Sequence, residues 1–326
     1  MAFKAYPLTV APILKEKVWG GKNLSAYVDT KNRKIGEAWM LADQNENKSI
    51  INSGALKGMA IGKAIEKYPD QMMGPKLLKK YGKRFPLLFK FLDTNDRISI
   101  QVHPDDNYAR QRGFAAGKTE MWYVLGNKFR SSLLVGFKSK ESRKTLYEAI
   151  TKGSLASKLK KYRPSKSDCF FIPAGTIHTI GKGNVIFEIQ QNSDITYRIY
   201  DWGRQNLKED RPLNITDALN SVKFDSNGGM VRSKETAVSG GIKSRSLARC
   251  GYFDSDELTF EKNSSYWYND NKVMVLTVID GSIQITDKKG EHCRYGRGSL
   301  VFIPYSLTEL LITAVKNTRL IITEAK

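Results

Sequence analysis

Asp168-Cys169-Phe170-Phe171-Ile172-Pro173-Ala174-Gly175-Thr176-Ile177-His178 joins a short apolar run to a Pro-Ala-Gly turn and ends on one of only three histidines in the chain. An apolar run of this length, closed by turn residues, predicts a buried strand. The turn can then bring the imidazole of His178 back across the sheet that holds the strand.

Outward from this segment, apolar or alternating stretches predict further strands at 85–92, 98–102, 120–125, 131–137, 185–190 and 195–200, with turns between them. Helical periodicity is clearest at 60–81 and 141–162, where Leu146, Ile150, Leu155 and Leu159 recur among Lys and Glu. These read as helical insertions on a β scaffold. A short helix is predicted over 214–222. A polar stretch, 225–245, follows, broken by Asn227-Gly228-Gly229 and Ser239-Gly240-Gly241, and a domain boundary is placed there. Beyond it, predicted strands at 273–279, 282–286, 300–303 and 310–313 lie too close together for βαβ units and suit a sandwich or small barrel. No GxGxxG or Walker-type loop occurs, which argues against a nucleotide cofactor.

A chain of 326 residues with a formal charge of +20 has room for two cores and an excess of cations. Lys and Arg are scattered over 76–84, 138–144 and 158–166 without interleaved aromatics, so no nucleic-acid partner is expected. No apolar run is long enough to cross a bilayer and the first residues lack a signal-like core, so the expectation is a cytoplasmic protein with no membrane partner. Cys169, Cys250 and Cys293 fall outside any CxxC spacing and are expected to be buried structural thiols.

The histidines carry the chemistry. In Gln101-Val102-His103-Pro104-Asp105-Asp106, Gln101 and His103 stand two apart and share one face of a strand. Glu120 opens the neighbouring predicted strand and His178 arrives from the turn. Two imidazoles, a carboxylate and an amide oxygen suit zinc, while manganese, iron and cobalt accept the same donors. His292 lacks such company and reads as structural.

These segments resemble a known superfamily. The stretch from Asp168 to His178 is similar to the second ligand motif of the cupins almost position for position, and Gln101-x-His103 stands where many cupins have His-x-His. Gln101-Val102-His103-Pro104-Asp105 with Lys118-Thr119-Glu120-Met121-Trp122-Tyr123 resembles the type I mannose-6-phosphate isomerases, in their short bacterial-like form. So do Val18-Trp19-Gly20-Gly21, Gly36-Glu37-Ala38-Trp39, Phe85 to Asp93, Glu188 to Asp194 and Tyr197 to Trp202, in order over about the first two-thirds of the chain.

The resemblance implies a mainly β chain of two cupin (jelly-roll β-barrel) domains with helical insertions: a catalytic, metal-binding domain over residues 1–235 and a metal-free cupin-like domain over 236–326. In the second, Arg297 to Pro304 echoes Lys166 to Pro173, with Leu307-Thr308-Glu309 where the first has Ile177-His178-Thr179. It implies one zinc per chain on Gln101, His103, Glu120 and His178. Arg198, Lys118 and Glu188 would be catalytic, with substrate contacts from Lys90 and Trp19. The implied reaction interconverts D-mannose 6-phosphate and D-fructose 6-phosphate through an enediol, so the partner is a small sugar phosphate. Either Lys118 or Glu188 could serve as the carbon base, and Arg198 could bind the phosphate or the enediolate. Met40-Leu41-Ala42-Asp43 is less polar than the continuation in many relatives. The competing readings are another cupin enzyme using redox-active iron or manganese, and a sugar-phosphate sensor that does no chemistry.

Overall fold

The computed structural model describes residues 4–204 and 211–326. The protein is mainly β with helical insertions, as expected, and is organised as four main antiparallel sheets stacked face to face. A five-stranded sheet runs in the order Leu159–Tyr162, Leu133–Phe137, His178–Ile180, Ile100–Val102, Tyr197–Tyr200. A seven-stranded sheet follows, in the order Gly229–Met230, Cys169–Ile172, Glu120–Asn127, Asn184–Gln191, Leu87–Thr94, Glu37–Leu41, Ile13–Lys15. A second seven-stranded sheet and a four-stranded sheet complete the stack, built mostly from residues after 235.

Strand alternation decides what each face of the first seven-stranded sheet touches. Trp122, Val124, Leu92 and Ile186 point to one side and pack with Leu133, Val135 and Ile180 of the five-stranded sheet. Met121, Tyr123, Phe89, Phe91, Phe187 and Ile189 point to the other and meet Phe253, Val275, Phe302 and Ile321. The N-terminal half therefore rests one full apolar face on the C-terminal half. At its edge Glu257, 2% exposed, is paired with Arg245 at 2.5 Å and Arg319 at 3.2 Å and accepts from the Tyr123 hydroxyl.

Two further ties join the halves. The strand Leu8–Thr9 pairs with Leu300–Ile303, placing Leu8 opposite Phe302. The helix Pro69–Tyr81 breaks at Gly74, whose φ of +68° precedes Pro75. A side chain at Gly74 would collide with the ring of Tyr305, and nearby the carbonyls of Met72 and Gln71 accept the N–H groups of Tyr305 and Ser306 at 3.2 and 2.9 Å.

Three expectations need correction. The periodic segment 141–162 is helical only at Arg143–Thr151 and Leu155–Lys158, and Leu159–Tyr162 is a strand pairing with Leu133–Phe137. The polar stretch 225–245 is not all loop: it contains the strands Gly229–Met230 and Thr236–Ser239 and the start of Ile242–Arg249. Of the thiols, Cys169 is buried, Cys250 is half-buried and Cys293 is exposed on the strand His292–Gly296. Among the described residues no helix is long and apolar enough to cross a membrane.

Candidate active site

Two rungs of side chains face each other between the five-stranded sheet and its seven-stranded neighbour. In the five-stranded sheet His178, Gln101 and Arg198 are lateral partners on adjacent strands, so all three share a face. In the seven-stranded sheet Trp39, Lys90, Glu188 and Trp122 form one rung across four strands. Glu120 and Glu37 sit two residues from Trp122 and Trp39, on the same faces. The ring of Trp122 meets His178 edge-on at 5.2 Å between centroids, which closes one end of the gap.

At that end His103, Glu120 and His178 converge, each almost fully buried. The Nε2 of His103 lies 3.5 Å from Oε2 of Glu120, and the Nε2 of His178 lies 3.4 Å from Oε1. These separations are too long for good hydrogen bonds, yet they match two donors each about 2.1 Å from a common ion. Oε1 of Glu120 and the Nε2 of His103 are buried without a hydrogen-bond partner among the described residues, and Oε2 of Glu120 has only the ammonium of Lys118 beside it there. Buried polar atoms left in that state are costly, and a divalent cation would take the Glu120 carboxylate and the Nε2 of His103 as ligands.

The histidines are prepared as ligands. The Nδ1 of His178 faces the Thr176 carbonyl at 2.9 Å, a contact that requires the proton on Nδ1 and leaves Nε2 with a free lone pair. Burial pushes His178 down to about 4 and His103 well below its ordinary value, the latter helped by the charge of Lys118. Gln101 turns its amide nitrogen toward Nε2 of His178 at 3.2 Å, so its amide must rotate to offer the oxygen. The residues present fit a metal.

Beside this cluster opens a cavity of about 170 Å³ lined by Lys118, Glu188, Arg198, Lys90 and Trp19, among others. The Nζ of Lys118 lies 3.2 Å from Oε2 of Glu120. Glu188 accepts from Nε1 of Trp122 at 2.9 Å, and burial, then the neighbouring Glu120, raises its carboxyl above the ordinary value. Trp19 is buried in the wall. Every residue singled out from the sequence for metal, catalysis or substrate thus converges on one place. His292 is exposed and far along the chain in the C-terminal half, on the edge strand His292–Gly296.

Sequence reasoning missed the charge network around Lys90. Its ammonium, 3% exposed, lies 3.8 Å from Glu37, 3.7 Å from Glu188 and 3.4 Å from Asp194, with the ring of Trp39 at 4.9 Å. Burial works against the charge of Lys90, but Glu37, Asp194 and Glu188 outweigh it and raise its pKa. Glu37 also accepts from Nε1 of Trp39 at 2.7 Å. The signal was present: a lysine inside the apolar run 87–92 needs buried carboxylates, and Glu37 and Asp194 lie in segments the resemblance had already marked. Arg211, which also lines the cavity and is held by Asp201 at 2.7 Å, carried no such signal.

Burial would raise the carboxyl of Glu37, but Lys90, Lys17 and the Trp39 bond bring it from the ordinary 4.5 down to about 2. A depressed carboxyl stabilises the fold fully above its unfolded value and loses that contribution as pH falls through the folded one. Glu37→Gln should therefore remove on the order of 2–3 kcal/mol of the stability that wild type loses between about pH 4.5 and 2. Urea unfolding across that range checks it, and equal acid slopes for the two proteins would refute the pairing.

Residues 8–128 match the family model described as phosphomannose isomerase type I, catalytic domain. The chain is similar to the mannose-6-phosphate isomerase of Streptococcus mutans, 35% identical over 218 residues that cover 66% of this chain and 67% of that one. It is 29% identical over 310 residues to mannose-6-phosphate isomerase ManA of Bacillus subtilis, covering 93% and 94% of the two chains. The crystal structure of the mannose 6-phosphate isomerase from Bacillus subtilis superposes with a TM-score of 0.87 at 27% identity, over 98% of this chain and 99% of that one. With a buried His-Glu-His cluster beside a cationic cavity, a matching catalytic-domain model and relatives alike across nearly the whole length, the chain belongs to the type I phosphomannose isomerases.

Proposed function

We propose that this chain, an enzyme of the mannose-6-phosphate isomerase family, interconverts D-mannose 6-phosphate and D-fructose 6-phosphate through an enediol beside one zinc ion per chain. Gln101, His103, Glu120 and His178 would hold the ion. The observation that carries this reading is the group of unsatisfied ligand atoms on His103 and Glu120 at the edge of a cavity lined by Lys118, Arg198 and Glu188.

Isomerisation moves a proton between C2 and C1 of the open-chain sugar. It needs a base for a carbon-bound proton and a cation for the oxygen charge that develops. A bound divalent ion supplies Lewis-acid polarisation of the substrate oxygens. Arg198 offers a permanent charge to the enediolate or to the phosphate. Lys118, just before the strand Glu120–Asn127, and Glu188, on the adjacent strand Asn184–Gln191, reach the same cavity and are the two candidates for the base. The raised carboxyl of Glu188 brings it closer to the pKa that general-base work favours. Lys90 and Trp19 form the wall against which the sugar lies. Residues 1–235 would be the catalytic cupin and 236–326 the supporting one, with Leu8–Thr9 lent across the division. The enzyme would act in the cytoplasm.

The test is conversion of mannose 6-phosphate to fructose 6-phosphate by purified protein, before and after chelation, with zinc returned to the stripped sample. Turnover should vanish with the metal and return with zinc. No turnover by folded, fully metallated protein would overturn the reading, and restoration by iron or manganese alone would replace the zinc assignment.

A further inference from the structure

Among the described residues the C-terminal half adds no member to the His103–Glu120–His178 cluster, yet one of its side chains enters the hydrogen-bond network around Lys118 and Glu120. Tyr252 occupies the turn between the strands Ile242–Arg249 and Phe253–Phe260, and its hydroxyl donates to Oδ2 of Asp106 at 2.9 Å. Asp106 opens the helix Asp106–Gln111, three residues after His103. Its other oxygen accepts the Gly117 N–H at 2.8 Å and Nε2 of Gln191 at 2.9 Å. Gln191 in turn accepts the Thr119 N–H on its side-chain oxygen at 2.8 Å, and its own N–H donates to the Thr119 carbonyl at 3.1 Å. Between them, the Lys118 N–H donates to the Pro104 carbonyl at 3.0 Å.

Three successive peptide N–H groups leading into Glu120 are therefore each fixed, two of them through Asp106 or its partner Gln191. The fit is close, since a Cβ on Gly117 would fall 2.5 Å from the carbonyl carbon of Asp105. An aspartate rotates easily about its terminal torsion, and the Tyr252 hydroxyl on the second oxygen fixes the carboxylate plane that the first oxygen uses. Tyr252 is itself anchored: its carbonyl accepts the Lys326 N–H at 2.9 Å, and Lys80 holds the Gly251 carbonyl at 2.6 Å.

We infer that Tyr252 is a positioning residue for the isomerisation, acting through Asp106 and Gln191 on the main chain that places Lys118 and Glu120. This role rests on the isomerase reading above. It gives the C-terminal half a part in turnover without any contact with substrate or metal. Small displacements of reacting groups cost rate steeply, so the effect falls on kcat more than on KM.

The experiment combines kinetics with amide exchange on the zinc-loaded full chain. Tyr252→Phe should lower kcat by roughly 3–10-fold with KM, zinc content and melting temperature nearly unchanged, and should speed exchange of the Gly117 and Thr119 amides. Asp106→Ala should cost about 100-fold in kcat. Asp106→Asn, which still accepts from Gly117 and Gln191, should recover most of that loss, and adding Tyr252→Phe to Asp106→Ala should cost nothing further. Wild-type kcat and exchange in Tyr252→Phe, or fully additive losses in the double variant, would overturn the inference. An inactive zinc-loaded wild type would count against the isomerase reading instead, and the exchange rates would then decide alone whether Tyr252 holds this segment.

Discussion

His178→Ala should leave the purified protein with little bound zinc and lower turnover by roughly three orders of magnitude, the scale of losing Lewis-acid assistance worth several kcal/mol. His178 is fully buried, its Nδ1 is committed to the Thr176 carbonyl, and its Nε2 has nowhere to point except toward Glu120 and Gln101. Nothing among the described residues can replace it, because the other buried imidazole, His103, is already in the cluster. Metal analysis beside steady-state kinetics checks this. Full activity at unchanged metal content would remove His178 from the ligand set.

Arg198→Ala should behave in the opposite way, keeping its zinc while losing about 10²- to 10³-fold in kcat, as when one donor to a developing oxyanion is deleted. The register that sets Arg198 beside Gln101 places its guanidinium on the cavity wall, next to the ligand cluster and not in it. Arg198→Lys should rescue poorly, since an ammonium cannot reproduce the planar fork. Wild-type turnover in Arg198→Ala, with zinc retained, would show that the charge serves the fold and not the reaction.

Much of this site could be read before the fold was known because its residue types are scarce and its strands are regular. Few histidines occur, and the two-residue period of a strand predicted Gln101 and His103 on one face. What stayed hidden depends on partners distant in sequence. The strand Phe253–Phe260 carries Asp254, Asp256 and Glu257, and its polar look is resolved only when Arg245 and Arg319 neutralise Glu257. Leu159–Tyr162 follows a genuine helical spacing, but Leu159 is drawn into the sheet by pairing with Phe137. Tyr252 and Asp106 are 146 residues apart and share no motif, so their bond could come only from the assembled halves.

The pairing of Leu8–Thr9 with Leu300–Ile303 also dictates an order of events at the ribosome. A nascent chain can build the strands and helices up to residue 235 while their partners emerge one after another. Its earliest strand, however, has no ladder to join until nearly three hundred further residues have been translated. Closing so long a loop is slow and entropically costly, which makes that step a late one. The apolar face carrying Phe89, Phe91 and Phe187 stays uncovered over the same interval. Early in its life the N-terminal half is thus a sticky intermediate that the later strands must rescue.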